Sequence, residues 1–303
     1  MASWQMKVVA LVVRLTRRRA FLSEEAGAAM LRQPQSSSHP PRSLRRRCAV
    51  WSRQIGGFQV HTVSAAETGR AGAPGQTSLV FLHGGAYTRE IVRQHWDLVA
   101  HLAVELGVDV HVPLYGLAPR HDGLEALAFV TEVLETVCAG GRTAYVVGDS
   151  AGGGLALLAA QATAGRDDIR IAGLTLIAPW LDLTMSNPGI DAVERIDPWL
   201  ARPGLRPVAR AWANGLPLDD PRLSPIHGGL NGVPPVDLWV GTRDITLPDC
   251  RLLRELLPTE SLAGYHEQAD AIHDTPLLPV PEGRAARQSI TDHIRRRTLA
   301  PAP

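Results

Sequence analysis

The sequence predicts an α/β fold with a mostly parallel central sheet, helices on both faces and a helical cap. The chain has 303 residues, of which 45% are hydrophobic, so a single domain can bury a large core. Short apolar runs alternate with longer helix-like segments, which is typical of parallel strands joined by helical crossovers. Two stretches break this alternation, residues 1–50 and about 185–216, and we expect both to form the cap.

The apolar runs predict where the strands and the last helices lie. Strands are predicted near residues 57–63, 78–82, 108–113, 143–147, 169–177, 235–240 and 261–268. Helical spacing continues through residues 248–257 and 282–297. The predicted division is an amino-terminal cap helix and linker in residues 1–50, followed by the main α/β domain in residues 51–303, which carries the second cap segment.

The amino-terminal segment has the pattern of a basic amphipathic helix. The first fifty residues contain ten basic and two acidic side chains, whereas the remaining residues contain 21 and 28. Apolar residues follow helical spacing at Trp4, Val8, Leu11, Val12 and Leu15. A buried apolar stripe with solvated arginines is the commoner arrangement, and weak contact with an anionic membrane is the alternative. Residues 33–47, rich in Ser, Pro and Arg, predict a linker.

A candidate oxyanion loop follows the strand predicted at residues 78–82. The tripeptide HGG at residues 83–85 comes directly after this apolar run. Two glycines there can present backbone N–H groups to an oxygen that gains negative charge when a carbonyl is attacked. The candidate donors are Gly84, Gly85 and Ala151. A second HGG at residues 227–229 has no preceding strand and predicts an ordinary surface loop.

A G-x-S-x-G pentapeptide spans residues 148–152, between the strand-like run 143–147 and a stretch rich in Gly, Ala and Leu. This context predicts a strand, a sharp turn and a helix, with Ser150 as a covalent nucleophile at the turn. The glycines fit because strand and helix would cross closely. At average amino-acid frequencies the pentapeptide occurs by chance in roughly one chain of this length in ten. A glycine-rich turn without a catalytic serine is therefore an alternative.

Hydrolases with such a turn supply an acid and then a histidine base later in the chain. Asp244 comes just after the predicted strand 235–240, at its carboxyl end, and is the candidate acid. Asp249 is the nearest alternative, but it falls in the helix predicted at 248–257, where a solvated or first-turn carboxylate is the simpler interpretation.

His273 is the candidate base, because it lies in the loop 269–274 that is predicted to follow the last strand. A base on such a loop can reach the serine while the acid holds its other ring nitrogen. His266 lies within the predicted strand and is less able to reach. His293, on the final helix, is most simply interpreted as solvated.

These residues, with further motifs, resemble the hormone-sensitive lipase-like esterases of the α/β-hydrolase fold, in the branch with GDSAG at the serine. The shared motifs are HGGA at 83–86, YGLAP at 115–119, GDSAGG at 148–153, APWLDLT at 178–184, DPRLSP at 220–225, VGTRD at 240–244 and IHDTPLLPVPEG at 272–283. Members more often have glycine at the position of Ala86, and DPL where this chain reads DIT at 244–246. Asp274, directly after the base, is also less usual, and it either raises the basicity of the histidine or faces solvent.

The resemblance implies a triad of Ser150, His273 and Asp244 and a carboxylesterase that acts on short to medium acyl esters through an acyl-enzyme, with no cofactor. A lactone, amide or carbamate hydrolase with the same triad is one alternative. A non-catalytic ligand receptor on the same scaffold is another, because function resides in the site rather than in the fold. The candidate pocket residues, each of which could instead be core, are Tyr87, Trp180, Trp199 and Trp212.

The rest of the sequence limits the partners and the compartment. The three cysteines Cys48, Cys138 and Cys250 form no even disulfide framework or metal-ligand spacing, and they fit a reducing cytoplasm. The apolar run 8–13 is too short to span a bilayer, and no typical cleavage site follows it. We therefore expect a cytoplasmic protein that binds a small-molecule ester, no metal and no nucleic acid. Contact between the amino-terminal helix and lipid, and the formation of a homodimer, are alternatives that the sequence does not decide.

Overall fold

The central sheet has eight strands within residues 2–65 and 77–298, the part of the chain that this computed structural model describes. The predicted domain ranges also include residues 1, 66–76 and 299–303, which lie outside the described residues. The strands are β1 (Cys48–Ile55), β2 (Phe58–Ala65), β3 (Thr77–Leu82), β4 (Val110–Pro113), β5 (Thr143–Asp149), β6 (Ile171–Ile177), β7 (Val236–Arg243) and β8 (Leu262–Ile272).

The strand order is β1-β2-β4-β3-β5-β6-β7-β8. Strand β2 runs antiparallel to its neighbours β1 and β4, and all the other neighbouring strands pair in parallel. The predicted mostly parallel sheet is therefore confirmed. The carboxyl ends of β3, β5, β7 and β8 lie along one edge, and the loops that follow them carry all the predicted catalytic and oxyanion residues.

Helices cover both faces of the sheet. The described α-helices are α1 (Trp4–Thr16), α2 (Glu24–Arg32), α3 (Arg93–Leu106), α4 (Gly123–Cys138), α5 (Ser150–Thr163), α6 (Ile190–Glu194), α7 (Arg202–Ala213), α8 (Leu247–Leu256) and α9 (Pro281–Thr298). In β3, Leu79 and Phe81 belong to the core cluster that includes residues of α3 and α9, whereas Val80 and Leu82 belong to the cluster that includes residues of α4 and α5. Successive side chains of a strand point to opposite faces of the sheet. Because helices cover both faces, the buried strands are apolar throughout.

The predicted strands correspond to β2 through β8, and the structure adds β1. Polar, exposed residues in the middle of β1 hide its strand pattern in the sequence. Gly56 and Gly57, both with positive φ, join β1 to β2 in a hairpin, and this Gly-Gly pair is the signal that could have predicted it. Strand β8 extends to Ile272, so most of the loop predicted at 269–274 is strand.

The two segments outside the sheet pack together as a helical cap. Helices α1 and α2 precede the sheet, and α6 and α7 lie in the connection between β6 and β7. Helix α2 packs closely on α7, because a Cβ on Gly27 would overlap the backbone of Gly204. The linker predicted at 33–47 is irregular except for a short 3₁₀ turn at Leu44–Arg46.

The guanidinium of Arg18 connects the two parts of the cap. It donates hydrogen bonds to the carbonyl oxygens of Glu194 at 2.9 Å and Leu200 at 3.2 Å, and also to that of Asp197. Three backbone carbonyls of the second segment are therefore tied to one side chain of the first.

The three cysteines are free and buried, and Cys138 ends α4 as a small core residue. Within the described ranges, no helix has the length and apolar character needed to cross a membrane.

Candidate active site

Ser150 lies at a sharp turn where β5 meets α5. Its φ of 49° is in the left-handed region, which a non-glycine residue rarely adopts. A Cβ on Gly148 would overlap the backbone of Gly152, and a Cβ on Gly152 would overlap the carbonyl of Leu82 in β3. The pentapeptide therefore needs glycine on both sides of the serine for steric reasons.

The imidazole of His273 lies between Ser150 and Asp244. Its Nε2 is 2.9 Å from Ser150 Oγ, and its Nδ1 is 2.9 Å from one carboxylate oxygen of Asp244 and 3.1 Å from the other. An ionised carboxylate only accepts hydrogen bonds, so Nδ1 donates to Asp244, and in the neutral ring Nε2 can accept from the serine hydroxyl. The three side chains that the sequence singled out are thus brought together, in an arrangement that can remove a proton from Ser150.

Asp244 is fully buried in the turn after β7. Its Oδ1 accepts hydrogen bonds from the backbone N–H of Thr246 at 3.0 Å and from the Thr246 hydroxyl at 2.9 Å. The next residue, Ile245, donates its N–H to Asp197 Oδ2 at 2.8 Å. Asp197 also accepts from the backbone N–H groups of Trp199 and Leu200, so it anchors the cap segment to the loop that carries Asp244.

The structure keeps Asp249, the alternative acid, away from the imidazole. Asp249 lies in the first turn of α8 and accepts a hydrogen bond from Asn187 Nδ2 at 2.9 Å. The expected first-turn position is therefore confirmed, whereas the expected solvation is wrong, because Asp249 is 5% exposed. Burial raises the pKa of its carboxyl to about 6.

Asp274 contacts the imidazole from the side of the serine. Its Oδ2 is 3.2 Å from His273 Nε2, and its buried Oδ1 has no hydrogen-bond partner among the described residues. The alternative that Asp274 faces solvent is therefore wrong. Burial raises the pKa of the Asp274 carboxyl well above its ordinary value, although the nearby imidazole of His273 opposes that rise.

Burial lowers the pKa of His273, but the surrounding carboxyl groups outweigh this effect. Asp244, Asp274 and Asp197 together raise the pKa of the imidazole to about 10. The carboxyl groups therefore stabilise the imidazolium, the form that His273 takes after it removes a proton from Ser150.

The HGG loop leaves the end of β3 and passes beside Ser150. A Cβ on Gly84 would crowd Asp149 and the Cβ of Ser150. Gly85 has a φ of +125°, which favours glycine. The backbone N–H groups of Gly84 and Gly85 donate to no other described residue, so both are available to a ligand oxygen. Ala151, which supplies the third predicted donor, directly follows the serine at the start of α5.

Two buried histidines form hydrogen bonds with the HGG loop and with the residue that precedes Ser150. His83 Nδ1 donates to the carbonyl oxygen of Gly84 at 2.7 Å, and its ring stacks on Tyr115 with the centroids 4.7 Å apart. Burial lowers the pKa of His83 to about 4, so this ring is neutral. His95 accepts the N–H of Val92 at Nδ1, so its Nε2 donates to Asp149 Oδ2 at 3.1 Å.

Ser150 and His273 open into a cavity of about 770 Å³ between the sheet domain and the cap. Most of the lining is apolar, and the cap contributes Val9, Val12, Val13, Phe21, Met30, Trp199, Leu200 and Leu205. This volume lies within the usual range for sites that enclose a small molecule.

Two of the four predicted pocket aromatics line this cavity. They are Trp180 and Trp199, and the ring of Trp199 meets the His273 imidazole edge-on, with centroids 5.7 Å apart. The placement of Tyr87 and Trp212 in the pocket is corrected by the structure. These two rings stack on each other at 4.1 Å and are almost fully buried behind the cavity wall, where Tyr87 also stacks on Trp180.

The two other histidines that the sequence analysis considered, His266 and His293, lie outside the site. His266 Nε2 lies 2.9 Å from Asp237 Oδ1, and its ring stacks on Trp239. His293 is not solvated, because its half-buried ring faces the same aspartate at 3.9 Å. The second HGG begins at the end of a short 3₁₀ turn, Pro225–His227, and lines no part of the cavity.

Sequence reasoning did not predict the parts played by Asp197, Arg18, His95 and Asp149. Each acts through a partner far away in the chain, and none belongs to a local pattern that marks its role. Asp149 is a partial exception, since it is the second residue of the GDSAG motif.

Comparison with known proteins agrees with this architecture. A family model described as alpha/beta hydrolase fold matches residues 79–276. An acetyl-hydrolase of Streptomyces hygroscopicus is 30% identical over 218 residues, covering 69% of this chain and 72% of the relative. An esterase of Acinetobacter venetianus is 30% identical over 184 residues, and the match covers 59% of this chain and 61% of that relative.

A solved structure of an esterase from the bacterial hormone-sensitive lipase family superposes with a TM-score of 0.78. It is 21% identical and covers 98% of this chain and 100% of its own, so this likeness bears on the fold alone. Together the comparisons confirm the predicted α/β fold and the similarity to esterases.

Proposed function

This chain belongs to the α/β hydrolase fold family, among its esterase- and lipase-type hydrolases, and on that premise we propose that it cleaves short to medium acyl esters with Ser150, His273 and Asp244 as its triad. The observation that carries the proposal is the 2.9 Å contact between His273 Nε2 and Ser150 Oγ, with Asp244 on the other ring nitrogen. A nucleophile, a base and an orienting acid are the groups that acyl transfer requires.

In the first half-reaction, Ser150 Oγ forms a bond to the ester carbonyl carbon while its proton moves to His273 Nε2. The carbonyl oxygen gains negative charge, which the N–H groups of Gly84, Gly85 and Ala151 stabilise. The bond to the alcohol oxygen then breaks, and the imidazolium gives its proton to the departing alcohol. Asp244 holds the imidazole in the required tautomer and stabilises its charged form.

In the second half-reaction, water replaces the alcohol. His273 removes a proton from the water as its oxygen attacks the acyl-enzyme carbonyl, and the same N–H groups stabilise the second oxyanion. When the bond to Ser150 Oγ breaks, the imidazolium returns the proton to the serine. The carboxylic acid leaves, and the free enzyme is restored without a metal or a cofactor.

The shape of the cavity supports a small ester as the substrate. The cap encloses about 770 Å³ with mostly apolar side chains, and Trp199 stands beside the base. An enclosed apolar space favours acyl chains that fit within it over the long chains of triglycerides.

Turnover of p-nitrophenyl esters of increasing acyl length tests this proposal. The wild type is expected to cleave the short and medium esters best, and Ser150→Ala is expected to lose activity by a factor of about 10⁶ while it keeps the circular dichroism spectrum and Tm of the wild type. Equal turnover by the Ser150→Ala variant would exclude Ser150 as the nucleophile.

A further inference from the structure

Helix α1 has a buried face and an exposed apolar face. Met6 and Ala10 are buried against a small cluster that includes Ala271, Ile272 and Val280. The opposite face carries five large apolar side chains that are 50 to 70% exposed: Trp4, Val8, Leu11, Val12 and Leu15. The commoner interpretation of the sequence, in which this stripe is buried, is therefore wrong.

The five side chains form one stripe, because they recur at positions i, i+4, i+7, i+8 and i+11 of the helix. Single exposed apolar residues are ordinary on a protein surface, but a contiguous patch of this kind marks an interaction surface. We call this stripe the α1 surface.

Positive charge borders the α1 surface. Lys7, Arg14 and Arg17 are exposed on the same helix or at its end, and no acidic residue occurs before Glu24. Arg18 is different, because it binds backbone carbonyls of the cap. A helix with apolar side chains on one face and cations beside them is typical of a segment that lies in the plane of an anionic lipid interface.

The α1 surface is continuous with the substrate cavity. Val12 belongs to both, and the neighbouring Val9, Val13, Thr16 and Arg17 also line the cavity. A lipid surface that covers the α1 surface would therefore lie next to the opening through which an ester would reach Ser150.

We propose that the α1 surface docks on an anionic lipid surface, with α1 parallel to the interface and the cavity mouth facing the lipid. Docking itself is independent of catalysis; only the delivery of lipid-dissolved esters to Ser150 rests on the proposed function. A second copy of the chain fits the surface less well, since a symmetric contact between two such helices would bring Lys7 and Arg14 of both copies close together.

Co-sedimentation with vesicles of phosphatidylcholine and phosphatidylserine tests the docking, with pure phosphatidylcholine vesicles in parallel. The double variant Leu11→Gln/Leu15→Gln keeps helix-forming residues and changes no residue that lines the cavity. We expect its partition coefficient to fall at least about tenfold, because two large apolar side chains no longer enter the interface. The matched control Leu252→Gln/Leu256→Gln changes two exposed leucines, also four residues apart, on α8, and it should bind like the wild type.

The charge is tested separately with Lys7→Gln/Arg14→Gln. Each cation near an anionic surface contributes about fivefold to binding, so this variant should lose about 25-fold on vesicles with phosphatidylserine and little on neutral ones. Arg296→Gln/Arg297→Gln, which removes two exposed cations from the end of α9, is the matched control and should bind like the wild type.

Three results would overturn the proposal. The first is equal binding by the α1 and α8 leucine variants, and the second is no vesicle binding by the wild type. The third is a dimer in light scattering that Leu11→Gln/Leu15→Gln converts to a monomer, without lipid binding by either form. Turnover of a soluble ester and the Tm show that each variant is folded. Ser150→Ala should bind vesicles like the wild type without hydrolysis, so failure of docking and failure of the proposed chemistry are distinguishable.

Discussion

Two carboxyl groups contact the same imidazole, and their surroundings differ. Asp244 faces Nδ1 of His273 and accepts two further hydrogen bonds from Thr246. Asp274 faces Nε2, the nitrogen that must accept the serine proton, and among the described residues its Oδ1 has no partner. Contact with the imidazole alone therefore does not make a carboxyl group an orienting acid. We expect an orienting acid to contact Nδ1 and to be held by further hydrogen-bond donors, as Asp244 is.

The largest effect is expected for Asp244→Asn. The amide would favour the tautomer that carries its proton on Nε2, so the base could no longer accept from Ser150, and kcat should fall about 10⁴-fold. Steady-state hydrolysis of p-nitrophenyl acetate measures this loss, and Tm measurements identify any loss of folding. A fall of less than about tenfold would show that another carboxylate orients His273.

An intermediate effect is expected for Thr246→Val. This change keeps the side-chain shape and the backbone donor but removes the 2.9 Å hydroxyl bond to Asp244. A hydrogen bond to a charged group contributes about 1.5 to 3 kcal/mol, so kcat should fall by a factor of about 10 to 150. Thr246→Ser, which retains the hydroxyl, should recover most of the activity. Equal losses in both variants would assign the effect to packing.

Asp274→Asn should change the pH dependence more than the maximal rate. The anionic form of Asp274 raises the pKa of His273, so its removal lowers that pKa and leaves more of the imidazole in the base form at a given pH. Activity rises as His273 loses its proton, and the acid limb of kcat/KM should therefore move to lower pH by about one pH unit. An unmoved limb would mean that Asp274 stays protonated over the whole range.

The smallest effect is expected for Asp249→Asn. This carboxyl lies in the cavity wall and binds Asn187 without touching the imidazole, so kcat should change by no more than about threefold. The same ester assay applies. A loss as large as that of Asp244→Asn would reverse the assignment of the two aspartates.

The sheet and the principal site residues could be predicted because local sequence determines them. The glycines around Ser150 are required where β5, α5 and β3 approach closely, and the apolar runs correspond to buried strands. Asp244 and His273 follow parallel strands, whose carboxyl ends lie along one edge of the sheet. Their positions after the ends of strands, and not chain order alone, therefore made them the candidates in preference to Asp249 and His266.

The cap could be predicted only in outline, because tertiary contacts decide its details. Helical spacing predicted α1, but not which of its faces is buried. The sequence also could not show that Tyr87 turns behind the cavity wall to stack on Trp212. The contact of Arg18 with the second cap segment joins residues more than 170 positions apart, and no local pattern reports such a contact.

Covalent labelling with a fluorophosphonate, followed by peptide mass mapping, tests most directly whether Ser150 is an activated nucleophile. We expect one adduct per chain, on the peptide that contains Ser150, with no labelling of Ser150→Ala and much slower labelling of His273→Ala. An adduct on a different residue, or labelling of the Ser150→Ala variant at the wild-type rate, would contradict this expectation.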